Sequence, residues 1–542
     1  MAEVAPAEPR RARAHLWSDR AAIAAFIAVE ATALAFRLDW ARHAWFTLDD
    51  WDFLAARKVG DLGDLFRPHA GHWSTVIAVV YRVLWQSFGL RYLPYELFAL
   101  ALYLAVAALV RVVMRRAGVG PWVATLTVSI LVFFGAGIEN NFFTGVLVFS
   151  LVHLLLADHE GEVDWRDGVG LLAGLLALMC SGLAVTTTIM VGLAMLLRRG
   201  WRIALLHTVP LGIIYVIWSV TAPPSHDTAF FHGPTLSSIS RFVLYGTEEG
   251  FKRLGALTGF GIAIACALTL GLVLRWKSEG CGALRGEAAL PVAMLAGAFI
   301  FLILTGTVRS GIGGFLFGSG PERARDPRYA YVIAAMVLPA VALAADALIR
   351  RWRFLSIVLA LLLIATVPSR VHQFRDAARG FALAGPFNEA LVMGAAKSPL
   401  APALPRSDPV GAGVFGGRNV LTIGWLVDGV ASGRISPPKS LSPVGVTNET
   451  LQLALAPTTR VRARTCWVLT QPTARVLEKG DLLTLQSGEA EVVYEPPSGV
   501  SSTPQRLARG TVQALAGPLK LRIASSSSPG SHPPIICDTT GA

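Results

Sequence analysis

Long apolar runs dominate the first 370 residues, with little sign of the period-two alternation of half-buried strands. A helix that crosses about 30 Å of hydrocarbon needs about 20 mostly apolar residues. Runs at 20–37, 92–114, 121–138, 142–157, 167–181, 184–198, 203–221, 255–275, 287–308, 329–349 and 354–368 predict about eleven spans. Only Gly182 and its neighbours separate the pair at 167–198. Residues 73–88 are apolar too. They are few, carry Arg82 mid-way and end at Phe88-Gly89, which predicts an amphipathic helix in the membrane interface and no twelfth span.

Beyond about residue 369 the pattern changes. A Pro/Gly/Ala-rich stretch leads into strand-like runs at 463–470 and 481–495, predicting a small β-rich domain. The expected organisation is therefore a tail at 1–19, a helix bundle at 20–368 with a long loop at 38–91, and a soluble domain at 369–542. The fold class is mainly α, a polytopic membrane bundle with a β-rich C-terminal domain.

Composition supports this reading. The chain is 53% hydrophobic and 15% charged, where soluble proteins carry about a quarter charged residues. The net charge of +12 would suggest nucleic acid in a soluble protein. Here the arginines sit at span ends, so lipid bilayer is the expected partner and nucleic acid is not. Basic residues favour the cytoplasmic side. Arg10, Arg11, Arg13 and Arg20 place the N-terminus inside, and the lack of a small-residue cleavage site predicts an uncleaved first span. Counting on, the groups Arg111/Arg115/Arg116, Arg198/Arg199/Arg202, Arg275/Lys277/Arg285 and Arg350/Arg351/Arg353 all fall inside. The C-terminal domain is then extracytoplasmic and the protein multi-pass in the plasma (inner) membrane. An oxidising exterior permits a disulfide between Cys466 and Cys537, whereas Cys180, Cys266 and Cys281 read as unpaired.

Three segments carry candidate chemistry, and each has a plainer reading. In the first long loop, Asp49, Asp50 and Asp52 put three carboxylates in four positions among Trp45, Phe46, Trp51 and Phe53. Repulsion between adjacent carboxylates raises a pKa, as a general base requires. They could also hold a divalent cation, though nothing demands one. Arg67, His69, His72 and Trp73 follow at the same predicted face. The plainer reading is a solvated acidic turn and a helix cap. Glu139, at the end of the third run, either joins this site or faces water. Finally, Arg309, Arg323, Arg325 and Arg328 crowd a Gly-rich loop that closes with Tyr329. Arginine forks suit phosphate, but Glu322 and Asp326 could equally pair with them. Glu30 and Arg37, seven apart in the first run, read as a structural pair.

In this arrangement the chain resembles the GT-C superfamily of membrane glycosyltransferases, in particular the branch of protein mannosyltransferases and aminoarabinose transferases. The resemblance rests on Asp49-Asp50 just after the first span, on interfacial helices through 67–91 with Gly71-His72-Trp73, and on Arg328-Tyr329 opening a late span. It covers roughly residues 20–370. It implies transfer, with inversion, of a sugar from a polyprenyl-phosphate donor to a glycan, lipid or protein acceptor. Asp49 or Asp50 would be the base. Arg309, Arg323, Arg325 or Arg328 would stabilise the leaving phosphate, and His69 or His72 would orient a substrate. No cofactor is required; some relatives use a divalent cation at the acidic motif. Two other classes remain open: a transporter or flippase of lipid-linked saccharide, which would favour internal repeats, and a non-catalytic membrane scaffold.

Overall fold

The computed structural model describes residues 8–47, 49–58, 60–137, 141–222, 233–280, 282–311, 320–410, 421–438, 440–459, 465–497, 499–526 and 533–539. The chain is mainly helical with a small antiparallel β region near its C-terminus. It divides into two compact units: Met1–Arg42, Val59–Val80 and Tyr95–Gly380 in the first; His43–Lys58, Tyr81–Pro94 and Phe381–Ala542 in the second. The 38–91 loop thus supplies both units.

Among the described residues, helices α1 (Glu8–Ala41), α4 (Tyr92–Arg116), α9 (Trp201–Thr221), α11 (Phe260–Glu279), α13 (Ala289–Arg309), α14 (Pro327–Arg351) and α15 (Leu355–Lys397) contain the seven runs long and apolar enough to cross a membrane; they belong to the first unit except for the first three residues of α4 and α15 beyond Gly380. The α5 (Pro121–Val132), α6 (Asn141–Ala157), α7 (Trp165–Leu178) and α8 (Leu183–Arg198) helices have 12, 17, 14 and 16 residues. At 1.5 Å per residue they reach only about 18–26 Å. The expected eleven spans are matched in number only if these short helices are counted. Buried on nearly all sides, from Tyr329 to Ala344, α14 is the central helix.

Two expectations need correction. Residues 222–254, left between the predicted spans at 203–221 and 255–275, contain α10 (Leu236–Gly255), opened by a Thr235/Ser238 capping box. Its Ser, Glu, Lys and Arg residues hide it from a search for apolar runs. Its inward stripe of Phe242, Gly246, Gly250 and Leu254 has helical spacing. The two glycines are small for a reason: a Cβ at Gly246 would lie 2.4 Å from Leu302, and one at Gly250 2.8 Å from Ile333. The last span also does not end near 368, since α15 continues unbroken to Lys397. The 73–88 segment forms α3 (Thr75–Phe88), 14 residues long with Arg82 mid-way.

Within the second unit, nine strands among the described residues form two antiparallel sheets. In order, one holds β1 (Leu455–Thr458), β7 (Gly510–Ala514), β4 (Leu482–Ser487), β9 (Ile535–Asp538) and β2 (Thr465–Val468), and the other β3 (Thr473–Leu477), β8 (Leu519–Ser525), β5 (Ala490–Tyr494) and β6 (Gln505–Leu507). The predicted strand runs contain β2 (Thr465–Val468), β4 (Leu482–Ser487) and β5 (Ala490–Tyr494). Alternation in β8 (Leu519–Ser525) turns Leu519, Leu521 and Ile523 inward and Lys520 and Arg522 outward. Those three share one core with Leu483, Leu485 and Ile536 of the other sheet, as in a sandwich. Cys466 and Cys537 face each other across β2 and β9 (Ile535–Asp538) and form a disulfide. Of the other cysteines, Cys180 and Cys266 are free thiols, and Cys281 lies outside the described residues.

Candidate functional site

The acidic segment belongs to the second unit. Trp45, Phe46 and Trp51 are buried against one another, Trp51 meets Trp425, and Phe46 meets Tyr92 edge-on. This apolar block fixes a turn that separates the three carboxylates by environment. Asp49 is exposed. Asp52 is buried and ion-paired with buried Arg57 at 3.4 Å. Asp50 lies between these extremes. Its Oδ1 accepts the Tyr81 hydroxyl at 2.5 Å, and its Oδ2 accepts Thr47 N–H at 2.7 Å. Burial pushes the Asp50 pKa up to about 6, chiefly by desolvation and slightly by the Asp49 charge, against the two hydrogen bonds. Tyr81 comes from α3, which is tied further by Arg82 Nη2 donating to Arg57 O at 2.5 Å and by Phe53 packing on the Tyr81 ring. The sequence reading missed Tyr81. The only trace of it is its place on the face of α3 opposite Val79 and Val83, which are exposed.

The basic and histidine candidates belong to the first unit. His69 and His72 exchange both backbone hydrogen bonds, at 2.9 and 2.8 Å, around a tight turn. Ala70 and Gly71 in that turn both have positive φ, of 47° and 79°. His69 is buried; His72 reaches Arg309, whose Nη2 donates to His72 Nε2 at 3.1 Å. Arginine cannot accept, so this contact requires a neutral His72 protonated at Nδ1. Gly182 makes room beside that ring: a Cβ there would lie 3.0 Å from His72 Nδ1 and 3.1 Å from the Tyr215 hydroxyl. Arg67 is ion-paired with Asp64 at 2.8 Å.

Near Arg309, half-buried Asp326 is paired with Arg328 at 2.9 Å. Burial raises the Asp326 pKa, while the charges of Arg328, Arg323 and Arg309 act against the rise. The charges of three guanidiniums thus act on one carboxylate. The Nε of Arg323 makes no hydrogen bond among the described residues. Arg325 is directed elsewhere, to Glu248 at 3.4 Å and over the Tyr245 ring. The Tyr329 ring is buried between Phe242 and Phe301. Glu139 lies outside the described residues.

No protein-family model, no curated protein and no solved structure matches this chain.

A second polar cluster stands where the sequence pattern suggests only topological charge. Asp167 accepts from Arg199 at 2.6 Å, His159 at 2.8 Å and His207 at 3.0 Å; His207 in turn bonds His153 at 3.0 Å. Its sequence signal is Asp164-Trp165-Arg166-Asp167, a capping box at the start of α7. His159, Asp164 and Asp167 are close enough to hold a metal ion. Arg166 grips Asp164 at 2.7 Å and Arg199 grips Asp167 at 2.6 Å, so both carboxylates already have cationic partners. That charge balance favours a structural role.

Proposed function

We propose that the protein transfers a sugar from a polyprenyl-phosphate donor to an acceptor hydroxyl at the extracytoplasmic face of the membrane, with Asp50 as general base. The observation that carries this reading is the Asp50 carboxyl, held by Tyr81 and Thr47 with a pKa raised to about 6. A base is most useful when its pKa lies near the working pH. In the transfer, the acceptor O–H proton passes to Asp50 as the oxygen attacks the anomeric carbon. The bond from that carbon to the phosphate oxygen breaks, and the configuration inverts. The first unit holds its own phosphate-suited set, the guanidiniums of Arg309, Arg323 and Arg328 with His72 held by Arg309. Asp49 is the exposed neighbour that raises Asp50, and Asp52 holds Arg57.

The apolar helices suit a bilayer, and the Cys466–Cys537 disulfide suits an oxidising exterior for the β domain. Together with the basic residues at span ends, they support an N-inside, C-outside arrangement of eleven spans, four of them short. The reading is tested in membranes supplied with a polyprenyl-phosphate sugar. Asp50→Asn should lose at least about 100-fold in rate, the lower end of general-base contributions, and Asp49→Asn should keep most activity. Full activity in both variants would overturn it.

A further inference from the structure

We propose that Arg37 anchors an additional anion site inside the first unit, one that takes a phosphate group. Arg37 lies on α1 and is only 2% exposed. It was expected to pair with Glu30, one face of the same helix. Instead, no ion pair joins them, and among the described residues Glu30 Oε1 and the Nε and Nη2 of Arg37 make no hydrogen bond. The guanidinium lies over the ring of Tyr103, with its central carbon 3.6 Å from the ring centroid, and Phe374 lies 5.9 Å away.

Those rings cover the flat surface of the group and leave its edge. Nε and Nη2 are the two donors of one edge, the fork that grips two oxygens of a phosphate at once. A second donor in the cluster is also unmet. Tyr331 is fully buried, stacks on Tyr103 at 5.3 Å, and its hydroxyl makes no hydrogen bond. By contrast the Tyr103 hydroxyl is directed to the carbonyls of Leu131, Val132 and Phe134. Among the described residues no carboxylate pairs with Arg37; a buried guanidinium so placed is costly in low dielectric, and intramembrane charges commonly mark ligand sites. Phosphate is the ligand of choice because the surrounding apolar helices border lipids that carry it. The group could belong to a lipid or be free in solution.

The test uses the full chain in a maltoside detergent, which holds no phosphate. Inorganic phosphate and phosphatidic acid are titrated separately, with thermal unfolding and intact-complex mass spectrometry as readouts. Wild type should be stabilised by at least one of them; which one identifies the source. Arg37→Met should abolish that response. Arg37→Lys, which keeps the charge without the fork, should bind about 10- to 100-fold more weakly. The proposal is overturned if wild type ignores both probes, or if Arg37→Met responds as wild type does.

Discussion

Tyr81 donates its hydroxyl proton to Asp50 Oδ1 across 2.5 Å, so the acidic turn and α3 meet at one carboxyl. Burial raises the Asp50 pKa to about 6, and the hydrogen bonds from Tyr81 and Thr47 limit the rise because they favour the charged form. Tyr81→Phe removes one of these donors and should move the titration above 6. An infrared titration of the carboxyl band, with Asp50→Asn as the subtraction, measures this without any substrate. A Tyr81→Phe midpoint at or below that of wild type would contradict the assignment. For stability, the folded pKa lies above the ordinary value of 3.8. The contribution of the protonated carboxyl is thus complete below about pH 4 and is lost as pH rises through about 6.

The disulfide between Cys466 and Cys537 joins residues 71 apart in sequence and clamps β2, an edge strand, onto β9. Restricting so long a loop in the unfolded chain is worth about 2–4 kcal/mol. Cys466→Ala combined with Cys537→Ala should make the β sandwich melt earlier, as read by protease cutting of the full-length protein during heating. An unchanged cutting temperature would show that the bond adds nothing.

How much of this was legible in the residues depended on which physical signal each feature leaves. The apolar runs, the strand runs and the cysteine pair leave strong local signals: the runs fall on helices, 463–470 and 481–495 contain β2, β4 and β5, and Cys466 is bonded to Cys537. The α10 helix was missed because half of its inward stripe is glycine, with one phenylalanine and one leucine, which dilutes hydropathy while the spacing persists. In the acidic segment the sequence could not rank three adjacent carboxylates. Their separation comes from Arg57 on Asp52 and Tyr81 on Asp50, the latter partner 31 positions away. The Glu30–Arg37 pair failed for the converse reason: sharing a helix face does not bring two side chains together when Tyr103 offers Arg37 a closer surface.

Gly89 follows α3 with φ of +58°, and its position is closed to any side chain. A Cβ there would fall 2.0 Å from the Arg434 carbonyl oxygen, a backbone atom that cannot rotate away. Gly89→Ala must carry both the strained left-handed conformation, about 1–3 kcal/mol, and the movement of that backbone. Poor yield of folded protein is expected, seen as a low monodisperse fraction in detergent. A Gly89→Ala protein with wild-type melting behaviour would place the 432–435 segment elsewhere.

Asp167 should be the most costly polar residue to neutralise. It is the shared acceptor for Arg199, His159 and His207, and Arg199 is almost fully enclosed, with its side chain 8% exposed. Asp167→Asn keeps the shape but leaves the Arg199 charge without its partner, and breaking a buried pair from one side costs about 3–5 kcal/mol. Asp164→Asn should be mild, because its partner Arg166 is 41% exposed and can turn to water. Replacing Arg199 by Met in the Asp167→Asn background should recover part of the loss, since no unpaired charge then remains buried. Melting temperatures of the three variants in one detergent decide the matter. If Asp164→Asn proved the more damaging, the cluster would be held by its helix cap and not by the buried pair.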